Sequence, residues 1–479
     1  MSAVPVATGV VDGPVDSVNE EVVEDAEEKV RQTEVTHSLT PKLLHTTRLL
    51  LGRSKSFYFS YEWDVTRSWA RQTGEGSTVP LWKRVEQEVS PFGKNLGNRN
   101  LLMKCGQFFW NRHLQCPFIE AGLTGFVMPL MQGFVGQTIL SVPRAPNERS
   151  KESKQKSENI AVLAEEPAPE PATEPEASSQ ENVTITIISR RSTYRAGLRY
   201  LRRGIDESGH TANTVETEQL VSTPQWARVF SYLQIRGSIP LFFSQSPYSL
   251  RPRPVLQLSD EANTAAMRTH FRQLQDRYAG ETHVVNLVEM QGNEAVVGNR
   301  FRDLVAGLNS KGEGPRVGWT WFDFHAECRG MRFENVERLF SQIAPDLARI
   351  SYSTFPSTSG DSRQLGVLRT NCMDCLDRTN VVQSFAARLA LKQQLQSLDL
   401  GVPATEMAFN ALWADNGDAV SQQYASTAAL KGDFTRTRTR NLQGALTDLS
   451  LSANTRVVTV PSRKSMAAWE KKSAIRLEK

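Results

Sequence analysis

The segment from Gln364 to Leu391 constrains the fold of this 479-residue chain more than any other. Gln364-Leu-Gly-Val-Leu368 is a short apolar run bounded by turn-prone residues, which predicts a buried strand. Val381, Val382, Phe385, Ala386, Leu389 and Leu391 recur at helical spacing, so a helix is predicted to begin near Thr379 or Asn380. Between them stands Arg369-Thr-Asn-Cys-Met-Asp-Cys-Leu-Asp-Arg-Thr-Asn380. A strand, a tight loop and a helix N-terminus in succession bring backbone N–H groups together where an anion can sit. Cys372, five residues, Arg378 and then Thr379 is the spacing that a phosphate-cradling loop with a thiolate nucleophile requires.

In such a loop the amides curl around phosphate oxygens while the Arg378 guanidinium grips two of them in a planar fork. The same donors and the arginine charge favour Cys372 as a thiolate. Two other chemistries fit part of the pattern. Cys372 and Cys375 form a C-x-x-C, which suits a redox pair or half of a zinc site. Zinc needs two further ligands, and none of Cys105, Cys116 and Cys328 belongs to a second such pair. A redox pair explains neither Arg378 nor Thr379.

Bulk composition narrows the class. A net charge of +4, from 56 basic and 52 acidic residues, is too mild to imply nucleic acid. Five scattered cysteines, an odd number, argue for a reducing compartment rather than a disulfide framework. The N-terminus as far as Val35 is acidic and lacks a secretory signal. The most apolar stretch, Gly125 to Val142, holds two glutamines, three glycines and a proline, so a buried strand-turn-strand is expected there rather than a membrane span.

Four regions are expected: an acidic disordered tail over 1–39, an N-terminal subdomain over 40–182, a catalytic subdomain over 183–446, and a basic disordered tail over 447–479. Within the second, 144–182 is a Pro-, Glu- and Ala-rich low-complexity insertion. The third alternates elements. A helix is predicted from Ser259 as N-cap to Tyr278 with Gly280 as terminator, then a strand over 283–288 and a helix over 293–308. A strand over 317–324 and a helix over 334–343 follow. The fold class is α/β (α+β), with helices packed on a partly parallel sheet and the loop at a strand's carboxyl end.

The Arg369–Asn380 segment resembles, nearly residue for residue, the signature of the SAC-domain phosphoinositide phosphatases. Phe109–Leu114, Ser189–Asp206, Val215–Gln219, Gln234–Gln245 and Trp321–Met331 resemble the family in the same order. The resemblance runs from about Leu44 to about Leu446. Ala428–Arg436 looks more like the membrane-anchored endoplasmic-reticulum and Golgi branch than the synaptojanin branch. The family fold is a β-rich N-terminal subdomain beside a tyrosine-phosphatase-like catalytic subdomain.

By this resemblance Cys372 is the nucleophile and forms a phosphocysteine, Arg378 binds the equatorial oxygens, and Thr379 stabilises the sulfur as the intermediate breaks. A helix N-cap is the plainer role for Thr379. The leaving oxygen needs an acid; Asp374 is favoured, with Asp377 and the strand-end trio Asp323, His325 and Glu327 as alternatives. Met373, Cys375, Leu376, Asp377, Arg369 and Asn380 are expected to line the substrate. A cysteine phosphatase of this kind needs no metal or other cofactor. The substrate implied is a phosphoinositide lipid, chiefly phosphatidylinositol 4-phosphate, with the 3-phosphate and 3,5-bisphosphate as others. A cysteine-dependent protein phosphatase and a catalytically silent lipid-binding scaffold are the rival functions.

The run Arg190, Arg191, Arg195, Arg199, Arg202 and Arg203 reads either as a solvated helix face or as a basic surface for an anionic membrane. Nucleic acid is not an expected partner, since no recognised module accompanies the run, and a monomer is expected. Membrane-anchored relatives continue into hydrophobic spans. Here the pattern gives way after about Leu446 to a basic tail with a candidate amphipathic helix around Met466, Trp469 and Ile475. The chain as given is expected to be soluble or peripheral, on the cytosolic face of endoplasmic reticulum or Golgi membranes by resemblance.

Overall fold

The computed structural model describes residues 55–72, 106–121, 123–144, 180–198, 201–246, 252–312, 314–356, 362–374, 376–403, 406–427 and 429, with positions 41, 44, 45 and 48. The two tails, most of the 144–182 insertion, most of Ala428–Arg436, Arg199 and Cys375 lie outside the described residues. The chain forms two compact units that divide between Phe134 and Val135.

In the first unit β1 (Phe57–Tyr58) pairs antiparallel with Met131 and Gln132, which open β2 (Met131–Pro143). Two short helices, α1 (Trp69–Gln72) and α2 (Arg112–Glu120), lie between them in sequence. Asp64 is held by its neighbours: Gln72 accepts its N–H at 3.1 Å and donates to its carbonyl at 2.7 Å. The expected strand-turn-strand over 125–142 is instead one 13-residue strand. Gly133 stands at φ 159°, an extended conformation, so a glycine there does not turn the chain.

The second unit is built on one mixed sheet. Its strands are the rest of β2, then β3 (Gln180–Arg191), β4 (Val215–Ser222) and β5 (Val229–Arg236). A two-stranded hairpin, β6 (Phe243–Ser244) with β7 (Val255–Leu256), precedes α3 (Asp260–Tyr278). There follow β8 (Thr282–Asn286), α4 (Ala295–Lys311), β9 (Val317–Trp321) and α5 (Phe324–Glu327). The last elements are α6 (Val336–Gln342), α7 (Ala344–Ile350), β10 (Ser353–Phe355), β11 (Val367–Asn371), α8 (Asp377–Gln396) and α9 (Met407–Ala425). The order is β2-β3-β4-β5-β11-β8-β9, with β10 also on β5. β3, β4 and β5 are antiparallel, whereas β11 lies parallel to both β5 and β8, and β8 parallel to β9. This is the mixed α/β class that the alternating elements imply.

Neighbouring residues of the central strands serve opposite cores, because side chains alternate across a sheet. Val284, Val367 and Leu233 pack with Met267, Phe271 and Leu274 of α3 and Val297, Phe301 and Val305 of α4. Val285, Leu368 and Tyr232 pack on the other face with Val336, Leu339 and Phe340 of α6 and Val381, Val382 and Ala386 of α8. Covering both faces is what a parallel sheet requires, and each large apolar side chain so buried contributes about 1.5–3 kcal/mol. The core therefore clamps β11, and with it whatever follows Asn371.

Two boundaries differ from expectation for instructive reasons. Strand β11 begins at Val367, not Gln364, and runs on through Arg369, Thr370 and Asn371, all buried. Buried polar residues extend it, so hydropathy ended it early. Helix α3 has the expected Ser259 cap, whose side chain accepts the Ala262 N–H, but its left-handed terminator is Ala279 at φ 51°. Gly280 is small for another reason: a Cβ there would lie 2.6 Å from the Gly366 nitrogen.

Candidate active site

Cys372 follows directly on the carboxyl end of β11, in the middle of the parallel part of the sheet. Its neighbours below are locked by polar bonds that the apolar cores cannot supply. Asn371 donates to Asn286 of β8 at 2.5 Å and accepts from Arg369 at 3.1 Å. Arg369, 1% exposed, also donates Nη2 to the Ser238 carbonyl at 2.7 Å and Nε to His270 Nε2 at 3.0 Å. His270 is therefore the neutral tautomer with its proton on Nδ1, facing the Gly209 carbonyl at 2.8 Å. Burial, reinforced by the Arg369 charge, holds it well below the usual histidine range.

The strand gives way to a loop, and α8 starts at Asp377 with Leu376 in the N-cap position and no side-chain cap. Thr379 therefore sits inside the first turn rather than capping it. Its hydroxyl, fully buried, points at the Cys372 sulfur at 3.5 Å. Cys372 itself is 1% exposed and reduced. Arg378 donates Nη1 and Nη2 to the two oxygens of Glu294 at 2.8 and 2.9 Å, and Nη1 again to the Leu287 carbonyl at 3.2 Å. Burial works against its charge, yet Cys372, Glu294 and Asp374 outweigh that and raise it further above the ordinary arginine value. Arg378 is a permanent cation within electrostatic reach of the sulfur.

The other expected site residues take diverse places. Asp374 accepts from Arg203 Nη2 at 2.5 Å, and Arg203 Nη1 donates to the Met373 carbonyl at 2.8 Å, so the start of the loop is pinned by one buried arginine. Met373 and Leu376 turn into separate apolar clusters. Asn380 bridges α8 and α9 by donating to the Trp413 carbonyl at 3.1 Å, and accepts from Arg236 at 3.3 Å. Asp377 opens α8 as the acid of its first turn. Arg369 and Asn380 thus spend their polar groups inside the protein, beneath and behind the loop. Of the strand-end trio, Asp323 is not at a strand end but caps α5, accepting the Ala326 N–H, and takes the Met290 N–H as well. His325 is exposed and stands 4.0 Å from Glu289.

The arrangement is one cysteine at a strand end, a hydroxyl on its sulfur, a fixed arginine beside it and an uncapped helix of 20 residues starting behind it. Comparison with known proteins then decides the family. Residues 6–329 match the SacI homology domain, a match that ends before Cys372. The chain is 36% identical to phosphatidylinositide phosphatase SAC2 of Danio rerio over 89% of its own length and 36% of that protein's. It is 33% identical to phosphatidylinositol-3-phosphatase SAC1 of Saccharomyces cerevisiae, over 84% of this chain and 58% of the relative. Phosphoinositide phosphatase SAC8 of Arabidopsis thaliana is 33% identical over 85% and 60%.

The chain belongs to the SacI homology domain family.

It spans about a third of the SAC2 relative and less than two thirds of the SAC1 and SAC8 relatives. Among the described residues of this SAC chain no helix is long and apolar enough to cross a membrane.

Two features of the SAC site escaped the sequence. Glu294 and Arg203 are 84 and 171 positions from the residues they hold. An acid at the start of a helix that follows a strand was the available signal for Glu294. The arginine run is corrected outright. Arg190 is fully buried on β3, paired to Glu216 at 3.3 Å and Glu218 at 2.6 Å. Arg191 is buried with its guanidinium 4.2 Å from the Tyr424 ring centroid, and Arg203 is committed to the loop. Arg195 donates to the Arg203 carbonyl at 2.7 Å, while Arg202 is exposed. Most of the run is neither a solvated helix face nor a lipid-facing surface.

Proposed function

We propose that this chain is a phosphoinositide phosphatase that removes phosphomonoesters from the inositol ring through a phosphocysteine on Cys372, with the chemistry in residues 183–446. The observation that carries the reading is the Thr379 hydroxyl on the Cys372 sulfur, beside a permanently charged Arg378 at an uncapped helix start. The helix N–H groups and the guanidinium favour a dianion there. The sulfur attacks phosphorus as the bond to the ring oxygen breaks, and that oxygen takes a proton from Asp374. Water then cleaves the P–S bond, phosphate leaves, and Thr379 stabilises the departing thiolate. Because Cys372 is 1% exposed, the loop must part to admit the phosphate.

The proton donor has a second reading with an observation behind it. Asp374 is held at 2.5 Å by the buried Arg203 guanidinium, so it must leave Arg203 before it can reach a leaving oxygen. Glu289, just beyond β8, is pushed above the usual carboxyl range by burial and by the Glu294 charge, against the pull of Arg378.

Phosphatidylinositol 4-phosphate is the proposed main substrate, with the 3-phosphate and 3,5-bisphosphate as others; the yeast and fly SAC1 relatives are named phosphatidylinositol-3-phosphatases. The proposed location is an anionic membrane surface on the cytosolic side of endoplasmic reticulum or Golgi. Phosphate release from vesicles carrying each phosphoinositide, beside a soluble phosphopeptide, tests the reading. Faster turnover of the peptide would overturn it.

A further inference from the structure

A guanidinium carries five N–H bonds in one plane. In Arg378 one N–H of Nη1 and one of Nη2 lie on the two oxygens of Glu294, and Nη1 sends its other to the Leu287 carbonyl. Among contacts with described residues, that leaves the Nε–H and the outer N–H of Nη2. Those two project in parallel from one edge, at the spacing of two oxygens of a tetrahedral anion.

Glu294 is itself fixed at both ends. It stands in the N-cap position of α4, where the helix favours a negative charge, and its Oε2 also accepts the Glu289 N–H at 3.1 Å. We propose that Glu294 is the positioning residue of this site: its carboxylate holds the far end of Arg378 so that the Nε–Nη2 edge alone is presented to phosphate. This rests on reading Arg378 as the phosphate-binding group. Without the clamp the arginine charge remains but its direction is lost, and a fork that tightens on the transition state is sensitive to direction.

Steady-state kinetics on vesicles containing phosphatidylinositol 4-phosphate test this with Glu294→Ala, Glu294→Asp, Arg378→Ala and the Glu294→Ala/Arg378→Ala double variant. The expected result is a loss of about 10²-fold in kcat for Glu294→Ala with little change in KM, and partial recovery in Glu294→Asp. In the Arg378→Ala background, Glu294→Ala should cost nothing more, since its effect passes through the arginine. Glu294→Gln, of equal size, takes the place of Glu294→Ala if the latter does not fold. Wild-type kcat in the Glu294 variants, or losses that multiply in the double variant, would overturn the assignment. Orthovanadate binding, measured by calorimetry without lipid, separates the two claims. If the wild type hydrolyses no phosphoinositide but vanadate binding weakens in Glu294→Ala, the substrate reading fails and the Glu294 assignment stands. Equal vanadate affinity in both proteins ends the Glu294 assignment whatever the lipid result.

Discussion

Thr379 and Cys372 make a donor–sulfur contact inside the first turn of α8, and each makes a distinct prediction. Under the proposed mechanism, Thr379→Ala removes the hydroxyl from the leaving thiolate, so kcat should fall by about 10²-fold while a burst of product from the first turnover persists. Rapid-quench kinetics read both. A reaction that needs a protonated donor loses activity as pH rises through that donor's pKa. If Asp374 is the donor, Asp374→Asn should abolish the alkaline fall of the kcat profile and Glu289→Gln should leave it. The reverse pattern would assign the role to Glu289. At this scale the sequence was most legible where contacts are local: Cys372, Arg378 and Thr379 lie within eight positions, and the Thr379 hydroxyl meets the Cys372 sulfur. It was silent on Glu294 and Arg203, because the sheet brings together residues whose separation along the chain carries no pattern.

Strands β3 and β4 show what a charge run cannot reveal. Glu216 and Glu218 stand two apart, on one face of β4, and Arg190 reaches both from β3, with Arg277 and Tyr278 of α3 closing on Glu216 at 3.0 and 2.7 Å. A strand with acids at alternate positions was the legible clue; the burial was not. Arg190→Ala takes from buried Glu218 the cation 2.6 Å away and leaves Glu216 with Arg277, and should cost about 3–5 kcal/mol in urea unfolding. A surface arginine would cost almost nothing, so the experiment separates the two roles. Helix α9 meets α8 at Gly417, where a Cβ would lie 2.5 Å from Asn380 Nδ2. Gly417→Ala should therefore displace Asn380, destabilise the protein by about 1–3 kcal/mol and lower kcat through the start of α8. The predicted helices and strands from Ser259 onward were readable because their apolar periodicity is strong. Their ends were not, since β11 continues through Arg369 and Asn371, whose side chains bond to His270, Ser238 and Asn286, neighbours distant in sequence.

Across the whole molecule, buried charge sets the response to acid. Glu216 is pulled down to about 2 by Arg277 and Arg190 and by bonds from Tyr278 and Arg277, which outweigh its burial. Its ordinary value is 4.5, so its contribution, roughly 3 kcal/mol, is complete above that pH and disappears as pH falls toward 2. Buried neutral His270 acts in the same direction from higher pH, because the unfolded chain takes up its proton near 6.5 and the folded one resists. Glu216→Gln should lower the urea midpoint at neutral pH, with the gap to wild type closing between about pH 4.5 and 2. All of the proposed chemistry depends on Cys372 as the attacking group. Phosphate release from vesicles carrying phosphatidylinositol 4-phosphate, compared between wild type and Cys372→Ser, tests this most directly. The expected result is release by the wild type and none by Cys372→Ser, with vesicle binding nearly equal; release by Cys372→Ser at the wild-type rate would contradict it.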